Sequence, residues 1–282
     1  MSAAANSPHR VRIRDATLSG RIATSFSDLI RFRHLVWYMA VSSLAVESRG
    51  TKLGRTWWII EPLLLMGVYT VFVRVMLHRG GPHFPLFVLA AILSFEFFAR
   101  STARSMSMLK TAQSSMLHVA FPRTVIPLGV TLSETIRFII SLGAFILIAA
   151  PFGVMPTPTI FLAIPFVVAE ILFTLGAAYF LSATGVFFRD LSKITEYLLW
   201  LLFHLAPGMY ALRMIPAQYR GIFYVNPFTT FFQGIRTPLL YGRAPQLPLM
   251  LMGIVSLVSV LVCVGGYLYF LQREGSFNKV VL

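Results

Sequence analysis

Charge is scarce in this sequence. Charged residues make up 12% of the 282 residues, whereas a soluble domain keeps roughly 25% to stay hydrated. Apolar residues make up 57% of the chain. The low charge therefore excludes an ordinary soluble protein and predicts an integral membrane protein whose surface is wetted by lipid.

The motifs of three kinds of site are also missing. None of the four lysines follows a glycine, which excludes the G-x-x-x-x-G-K-[ST] loop that cradles the phosphates of ATP. The six histidines include no pair four residues apart, so we expect no metal site and no bound cofactor in this chain. Cys263 is the single cysteine, and it can form no internal disulfide.

What the chain does have is a series of long apolar runs. In lipid the backbone must satisfy its own hydrogen bonds, so apolar runs of about 20 residues predict membrane-spanning helices. We predict an all-α fold with six such helices in a transmembrane domain over residues 57–271. The predicted spans are 57–77, 84–99, 125–150, 160–188, 196–212 and 247–271.

The basic residues predict the orientation of these spans. The net charge is +14, and nine Lys or Arg residues precede Trp57, whereas the predicted loop 78–83 holds one and the loop 151–159 holds none. Positively charged loops stay on the cytoplasmic side and attract anionic lipid, which explains the charge without nucleic acid. We therefore expect both ends, a basic tail over 1–25 and a second tail over 272–282, to be cytoplasmic.

Two further segments predict helices that do not cross the membrane. Residues 26–46, within a lead-in over 26–56, are amphipathic, and their apolar part is too short to cross, so we predict a helix along the inner leaflet. The segment 213–246 has apolar pieces broken by prolines and predicts re-entrant helices between spans five and six. The polar face of the first segment holds Ser27, Arg31, His34, Tyr38 and Ser42.

Acidic residues inside the predicted spans are few. Glu134 and Arg137 are three residues apart and can pair across one helical turn. Glu61 and Glu96 lie near span ends, where water can reach them, whereas Glu170 stands alone within the fourth span. A proton relay would need several such groups in sequence, and the chain does not show them.

One face of the first predicted span mixes aromatic and acidic side chains, which is unusual for a surface that faces lipid. The face is a candidate lining for a path through the membrane, and packing against a neighbouring span is the alternative. At steps of three and four residues it carries Trp58, Glu61, Leu65, Tyr69 and Phe72.

Three short motifs follow one another along the chain. Residues 52–62 read K-L-G-R-T-W-W-I-I-E-P, residues 189–191 read R-D-L, and 226–228 read N-P-F with Q-G-I-R at 233–236. Their order resembles the membrane permease subunit of an ABC-2-type ATP-binding-cassette polysaccharide exporter. Three shorter motifs resemble the capsule-exporting branch in particular. They are Glu61-Pro62, His83-Phe84-Pro85 and Leu132-Ser133-Glu134. The basic–aromatic pair that the family often has before L-G is here reduced to Arg49.

The resemblance implies a homodimer in the bacterial inner membrane that works with two copies of a separate ATPase, which would bind ATP and Mg²⁺. The chain would then be a transport subunit rather than an enzyme, moving lipid-linked capsular polysaccharide to the periplasm, where an export adaptor is a compatible further partner. A short helix within 100–120 and the turn at Arg189 and Asp190 would dock on the ATPase. Asn226, Pro227 and Arg236 would belong to an outer gate.

Three alternatives stay open on sequence. The same fold could export an O-antigen or a teichoic-acid-type chain instead of capsule. A membrane-embedded acyl- or glycosyltransferase would need a constellation of His or Asp side chains at a bilayer surface, which the sequence does not show. A proton-coupled secondary transporter predicts an inverted repeat, and we see none.

Overall fold

Helices dominate the computed structural model of the chain, which describes residues 30–47, 52–78, 80–115, 122–188 and 190–277. Five helices in these ranges are long and apolar enough to cross a membrane, so the prediction of an all-α membrane protein is confirmed. Within the described ranges the α-helices are α1 Arg33–Glu47, α2 Trp57–Thr70, α3 Phe84–Ser115, α4 Val125–Ala149, α5 Ile164–Phe187, α6 Leu191–Leu205, α7 Arg220–Val225, α8 Pro227–Tyr241 and α9 Leu249–Glu274.

Short 3₁₀ or π segments lengthen several of these helices. With them, the five long spans are Gly54–Met76, Phe84–Thr111, Val125–Phe152, Pro158–Phe187 and Leu249–Glu274. The first span ends in a π-helical segment, Val71–Met76, that the sequence did not predict. Apart from these extensions, the spans begin within a few residues of the predicted positions.

The predicted fifth span is shorter than expected. Its helix, α6, has 15 residues and is therefore about 22 Å long, against the roughly 30 Å of a bilayer core. It begins at Leu191 instead of 196 and ends at Leu205, because Ala206 is extended and Pro207 has no backbone N–H to continue the helix. Residues 206–213, which cover the rest of the predicted span, contain no α-helix.

Helix α3 forms the centre of the bundle, and α2, α4, α5, α6 and α8 pack around it. Its first half is buried almost without interruption. Small polar side chains at Ser94, Ser101 and Ser105 are fully buried on it, and small side chains of this kind let neighbouring helices approach closely. With 32 residues, α3 is about 48 Å long and exceeds the hydrocarbon core.

Contacts between helices fix their directions. We call the end where α3 and α5 begin the upper end of the bundle, and the end where they finish the lower end. Helix α5 runs parallel to α3, because Ser94 contacts Glu170 and Phe98 contacts Phe173. Helix α4 is antiparallel, because the rings of Phe97 and Phe138 stack at 5.0 Å while Arg104, lower on α3, meets Glu134.

The segment between α6 and α9 enters the bundle from the upper end and returns to it. Arg213 lies at the upper end, with Nη2 3.6 Å from where a Cβ on Gly81 would stand. The chain then descends until the ring of Phe228 packs 4.8 Å from that of Phe98. Helix α8 rises again and ends at Tyr241, and the following Gly242 lies beside Thr157. This hairpin, α7–α8, has the re-entrant shape that the prolines predict.

Helix α1 packs along the lower part of α4. Its buried residues Val36, Ala40 and Leu44 are spaced four apart, and Met39 lies against Gly129 of α4. Tyr38 of the predicted polar face is exposed; Ser27 lies outside the described residues. The helical segment is there, and its placement along a leaflet stays a prediction.

The predicted short helix within 100–120 is not a separate element over the part of that range that the structure describes. Helix α3 continues through Arg100 without a break as far as Ser115. Hydropathy ends the second span at residue 99 because polar residues follow there, but backbone hydrogen bonding does not depend on hydropathy. The same helix therefore supplies both the span and a projection at the lower end.

Candidate functional site

A network of three carboxylates and three arginines joins α2, α3 and α4 in the lower half of the bundle. Glu134 is buried, and its oxygens lie 2.5 Å from Arg104 and 3.5 Å from Arg137. This confirms the predicted pair of Glu134 with Arg137 and adds Arg104 to it. Sequence spacing could not reveal Arg104, because it is on another helix.

The other half of the network is more exposed. Glu61 forms an ion pair with Arg100, which also lies 3.7 Å from Glu96. The Glu61 side chain is 49% exposed, in agreement with a hydrated position near a span end. Within the network three negative charges face three positive ones, so its charges balance, as charged groups inside a membrane require.

Trp58 lies over this network. Two guanidinium carbons lie near the ring centroid of Trp58, that of Arg137 at 5.0 Å and that of Arg55 at 6.0 Å. Both distances are within the range of cation–π attraction. A cavity of about 20 Å³ opens between Trp58, Arg100 and Glu134, which is room for about one water molecule. The first predicted path residue is therefore in contact with charged groups.

The predicted path residues on α2 differ in their surroundings. The ring of Tyr69 packs 5.9 Å from Phe203 and 6.4 Å from His204, both on α6. Phe72 is 49% exposed. Pro62 is the one buried residue of Trp57–Thr70, so most of α2 forms a surface of this chain. Tyr69 fits the packing alternative, and Phe72 and Glu61 stay open enough to line a path.

Helix α6 continues this surface with an aromatic face that sequence reasoning missed. Tyr197 and Trp200 are 75% and 63% exposed, and the ring centroids of Trp200 and His204 lie 4.3 Å apart with the rings tilted by 35°. The steps of three and four between these residues could have revealed the face. We give the name aromatic surface to the set of Phe72, Tyr197, Trp200 and His204. The contact between Tyr69 and Phe203 holds this surface in place.

The hairpin residues proposed for an outer gate have structural partners. Asn226 caps α8, since its Oδ1 accepts a hydrogen bond from the N–H of Phe228 at 3.0 Å, and its Nδ2 donates to the carbonyl of Leu202 at 3.4 Å. Pro227 occupies the first turn of α8, where its missing N–H costs nothing. These residues tie the start of α8 to α6.

Arg236 ties the same hairpin to α3. It is 4% exposed, and its guanidinium carbon lies 3.4 Å from the ring centroid of Phe87. Its nitrogens donate to the carbonyls of Phe87 and Pro207, each at 3.4 Å. The arginine therefore connects α8, α3 and the break after α6, and its part in a gate stays a prediction.

The predicted docking turn lies at the lower end. Asp190 is exposed and immediately precedes α6, and Arg189 lies outside the described residues. Lys110 on the projecting part of α3 donates to Ser192 at 2.7 Å. The turn and the projection are thus neighbours, as a common docking surface requires.

Glu170, which the sequence leaves isolated, has a partner in the fold. It is fully buried and accepts a hydrogen bond from the Ser94 hydroxyl at 2.6 Å. This contact joins α5 to α3 in the apolar core. Among the residues that the structure describes, no three His, Cys, Asp or Glu side chains are grouped to hold a metal ion.

Comparison with known proteins identifies a family. Residues 34–240 match the family model described as ABC-2 type transporter. The matched range runs from α1 to the end of α8, so it contains the ionic network, the aromatic surface and the hairpin.

Individual proteins are similar over most of the chain. The O-antigen export system permease protein RfbA of Myxococcus xanthus is 29% identical over 234 residues, which cover 82% of this chain and 90% of that protein. Two proteins of the same name from Klebsiella pneumoniae are 25% and 26% identical over 200 residues, 71% of this chain and 77% of each relative.

Proposed function

The chain belongs to the ABC-2 type transporter family, and on that premise we propose that it is the membrane permease subunit of an ATP-driven polysaccharide exporter. The observation that carries this proposal is the extent of the match to the M. xanthus permease, which covers 90% of that protein. A match of this extent concerns a whole permease and not one shared segment.

The substrate that we propose is a lipid-linked polysaccharide of the O-antigen type. The capsule branch was favoured by three short motifs, whereas the names of the three relatives refer to O-antigen export. Agreement over 200 residues or more carries more weight than motifs of two or three residues. Capsular polysaccharide is the second candidate.

Energy would come from a separate ATPase. The sequence has no phosphate-binding loop, so ATP and Mg²⁺ would be bound by two copies of the partner. The exposed Asp190, with Arg189 and the projecting end of α3, would form the docking surface. The basic residues near this end favour the cytoplasm as its compartment, with the chain in the bacterial inner membrane and both termini cytoplasmic.

The path would form between two copies of the chain. One chain leaves α2 and α6 largely uncovered, and a two-fold dimer is the simplest arrangement that encloses a path between such faces. Aromatic side chains with polar tips suit the apolar faces and hydroxyl edges of sugar rings. Contacts along the aromatic surface would be weak and repeated, because a tight site would stall a moving polymer.

At the upper end, the α7–α8 hairpin would act as the gate. Asn226 attaches it to α6 and Arg236 attaches it to α3, while Pro227 begins its second helix. The Arg236 contacts hold the hairpin at the break after α6, so a shift of α6 would reach the hairpin directly. An export adaptor in the periplasm would meet the upper end.

Deletion of the chain in its native host tests the proposal. We expect the O-antigen ladder of the surface lipopolysaccharide to disappear and lipid-linked polysaccharide to accumulate inside, with restoration by a plasmid copy. Loss of capsule with an intact O-antigen ladder would select the second candidate. Unchanged surface glycans of both kinds would refute polysaccharide export.

A further inference from the structure

The chain folds back onto the lower end of the bundle after α9. Phe277 lies beyond the end of that helix and is 0% exposed. Its ring packs 5.4 Å from Phe270 of α9 and 5.8 Å from Phe187, the last residue of α5. Residues beyond a terminal helix are usually poorly ordered unless they are tied down, so complete burial of Phe277 indicates a docked segment.

The same segment reaches a second connection of the bundle. Glu274 accepts a hydrogen bond from the backbone N–H of Arg123 at 2.8 Å. The guanidinium carbon of Arg123 lies 5.7 Å from the ring centroid of Phe277. Arg123 stands just before α4, so residues at the end of α9 touch both the start of α4 and the end of α5.

A third contact strengthens the attachment to α5. The guanidinium carbon of Arg273 lies 5.8 Å from the ring centroid of Phe187 and 5.5 Å from that of Tyr269. We name Arg273, Glu274 and Phe277 the C-terminal clamp. Its two attachment points are Arg123 and Phe187.

The clamp rests on a small core of its own. The Tyr179 hydroxyl of α5 donates to the carbonyl of Thr124 at 3.0 Å, and the Tyr179 ring lies 5.4 Å from that of Phe270. Leu109 of α3 and Ile126 of α4 belong to the same buried cluster as Phe270 and Phe277. The lower ends of α3, α4, α5 and α9 therefore share one packed unit, apart from the main core.

We propose that the C-terminal clamp couples the ATPase to the membrane helices. This inference rests on the proposed function and adds the element through which force would pass. The clamp touches Arg123 just before α4 and Phe187 at the end of α5, both at the lower end where the ATPase would dock. A packed aromatic unit does not deform gradually, so the clamp makes the start of α4 and the end of α5 move together as one body.

The test uses the full chain in complex with its ATPase in proteoliposomes. For Phe277→Ala we expect co-purification and ATP hydrolysis near those of the wild type, with a several-fold fall in polysaccharide moved per ATP hydrolysed. Phe277→Leu, which keeps an apolar side chain in place, should recover most of the loss. Phe161→Ala removes a phenylalanine that is 68% exposed near the start of α5 and serves as the matched control.

A milder variant covers the case in which Phe277→Ala lowers the amount of folded protein. Glu274→Ala removes the hydrogen bond to Arg123 and leaves the aromatic packing, and it should also lower export per ATP. A second arm closes the clamp by a cross-linker between cysteines at 123 and 277 in a Cys263→Ser background. Without the linker this variant lacks the Phe277 ring and should export as poorly as Phe277→Ala. Closing the link should restore export per ATP, because the clamp then moves as a unit again.

Three results would overturn the proposal: wild-type export per ATP in both clamp variants, a fall that only follows the loss of folded protein, or no recovery of export when the cysteine link is closed. A wild-type complex that moves no polysaccharide would instead refute the proposed function, and the clamp with it. The two failures are thus distinguished by the wild-type sample.

Discussion

The acidic side chains in the five long spans all have polar partners in the described fold. Glu61 and Glu96 meet Arg100, Glu134 meets two arginines, and Glu170 meets Ser94. The sequence predicted the partner only for Glu134, because that pair is three residues apart on one helix. Arg100 follows Glu96 by four residues on α3, a spacing that helical geometry could also have indicated. The partners of Glu61 and Glu170 lie on different helices, and one sequence does not show which helices pack together.

The same limit applies to the aromatic residues. The face on α2 follows from helical spacing, but its division into a packed Tyr69 and an open Phe72 depends on where α6 lies. Helix α6 contributes Phe203 to Tyr69 and presents Trp200 outwards. Helical spacing indicates which side chains share a face, and packing decides which of them a substrate could reach.

Alanine substitutions on the two kinds of aromatic residue should therefore differ. We expect Phe72→Ala and Trp200→Ala to reduce export while the melting temperature and membrane abundance stay near those of the wild type. Tyr69→Ala should lower the melting temperature, because truncating a packed aromatic ring costs up to about 3 kcal/mol. Surface polysaccharide, abundance and melting temperature are measured together for each variant. A fall in export that merely tracks folded protein at Phe72 and Trp200 would count against the aromatic surface.

Among the helices, apolar run length predicted five spans well and α6 less well. The run over 196–212 counts residues that follow Pro207, although the helix has already ended at Leu205. Helix α3 shows the opposite error, because its polar lower half is helical but not apolar. Hydropathy reports the contact of a segment with lipid, whereas helix ends depend on backbone hydrogen bonds and on proline.

The ionic network links helices with two different strengths. Glu134 is buried between α3 and α4, and removing its charge leaves two arginines without their shared partner. Breaking a buried pair in this way costs about 3–5 kcal/mol, whereas the half-exposed contact of Glu61 with Arg100 is worth about 1 kcal/mol or less. Helix α2 is thus held to the bundle more loosely than α4.

Neutral substitutions test this difference. Glu134→Gln should lower the melting temperature in detergent strongly, and Glu61→Gln should lower it slightly. Glu196→Gln, at an exposed position on α6, is the control for loss of one negative charge. If the melting temperature fell equally in Glu61→Gln and Glu134→Gln, burial would not decide how strongly the network holds the helices together.

For the whole molecule, the two ends of one bundle carry different structural features. The lower end collects the projection of α3, the turn at Asp190 and the C-terminal clamp, and the upper end carries the α7–α8 hairpin. The loosely held α2 and the short α6 lie between them and leave the aromatic surface uncovered. This arrangement agrees with the proposed function, in which a second copy would enclose the path and an ATPase would dock at the lower end.

The most direct test of this account is transport by the purified chain in proteoliposomes, with and without its ATPase. The account predicts that the chain alone hydrolyses no ATP, and that lipid-linked polysaccharide crosses the membrane only when the ATPase and ATP are both present. An ATPase variant that cannot hydrolyse ATP, assembled with the wild-type chain, should move none. Sustained ATP hydrolysis by the chain alone, or polysaccharide movement driven by a proton gradient without ATP, would contradict the account.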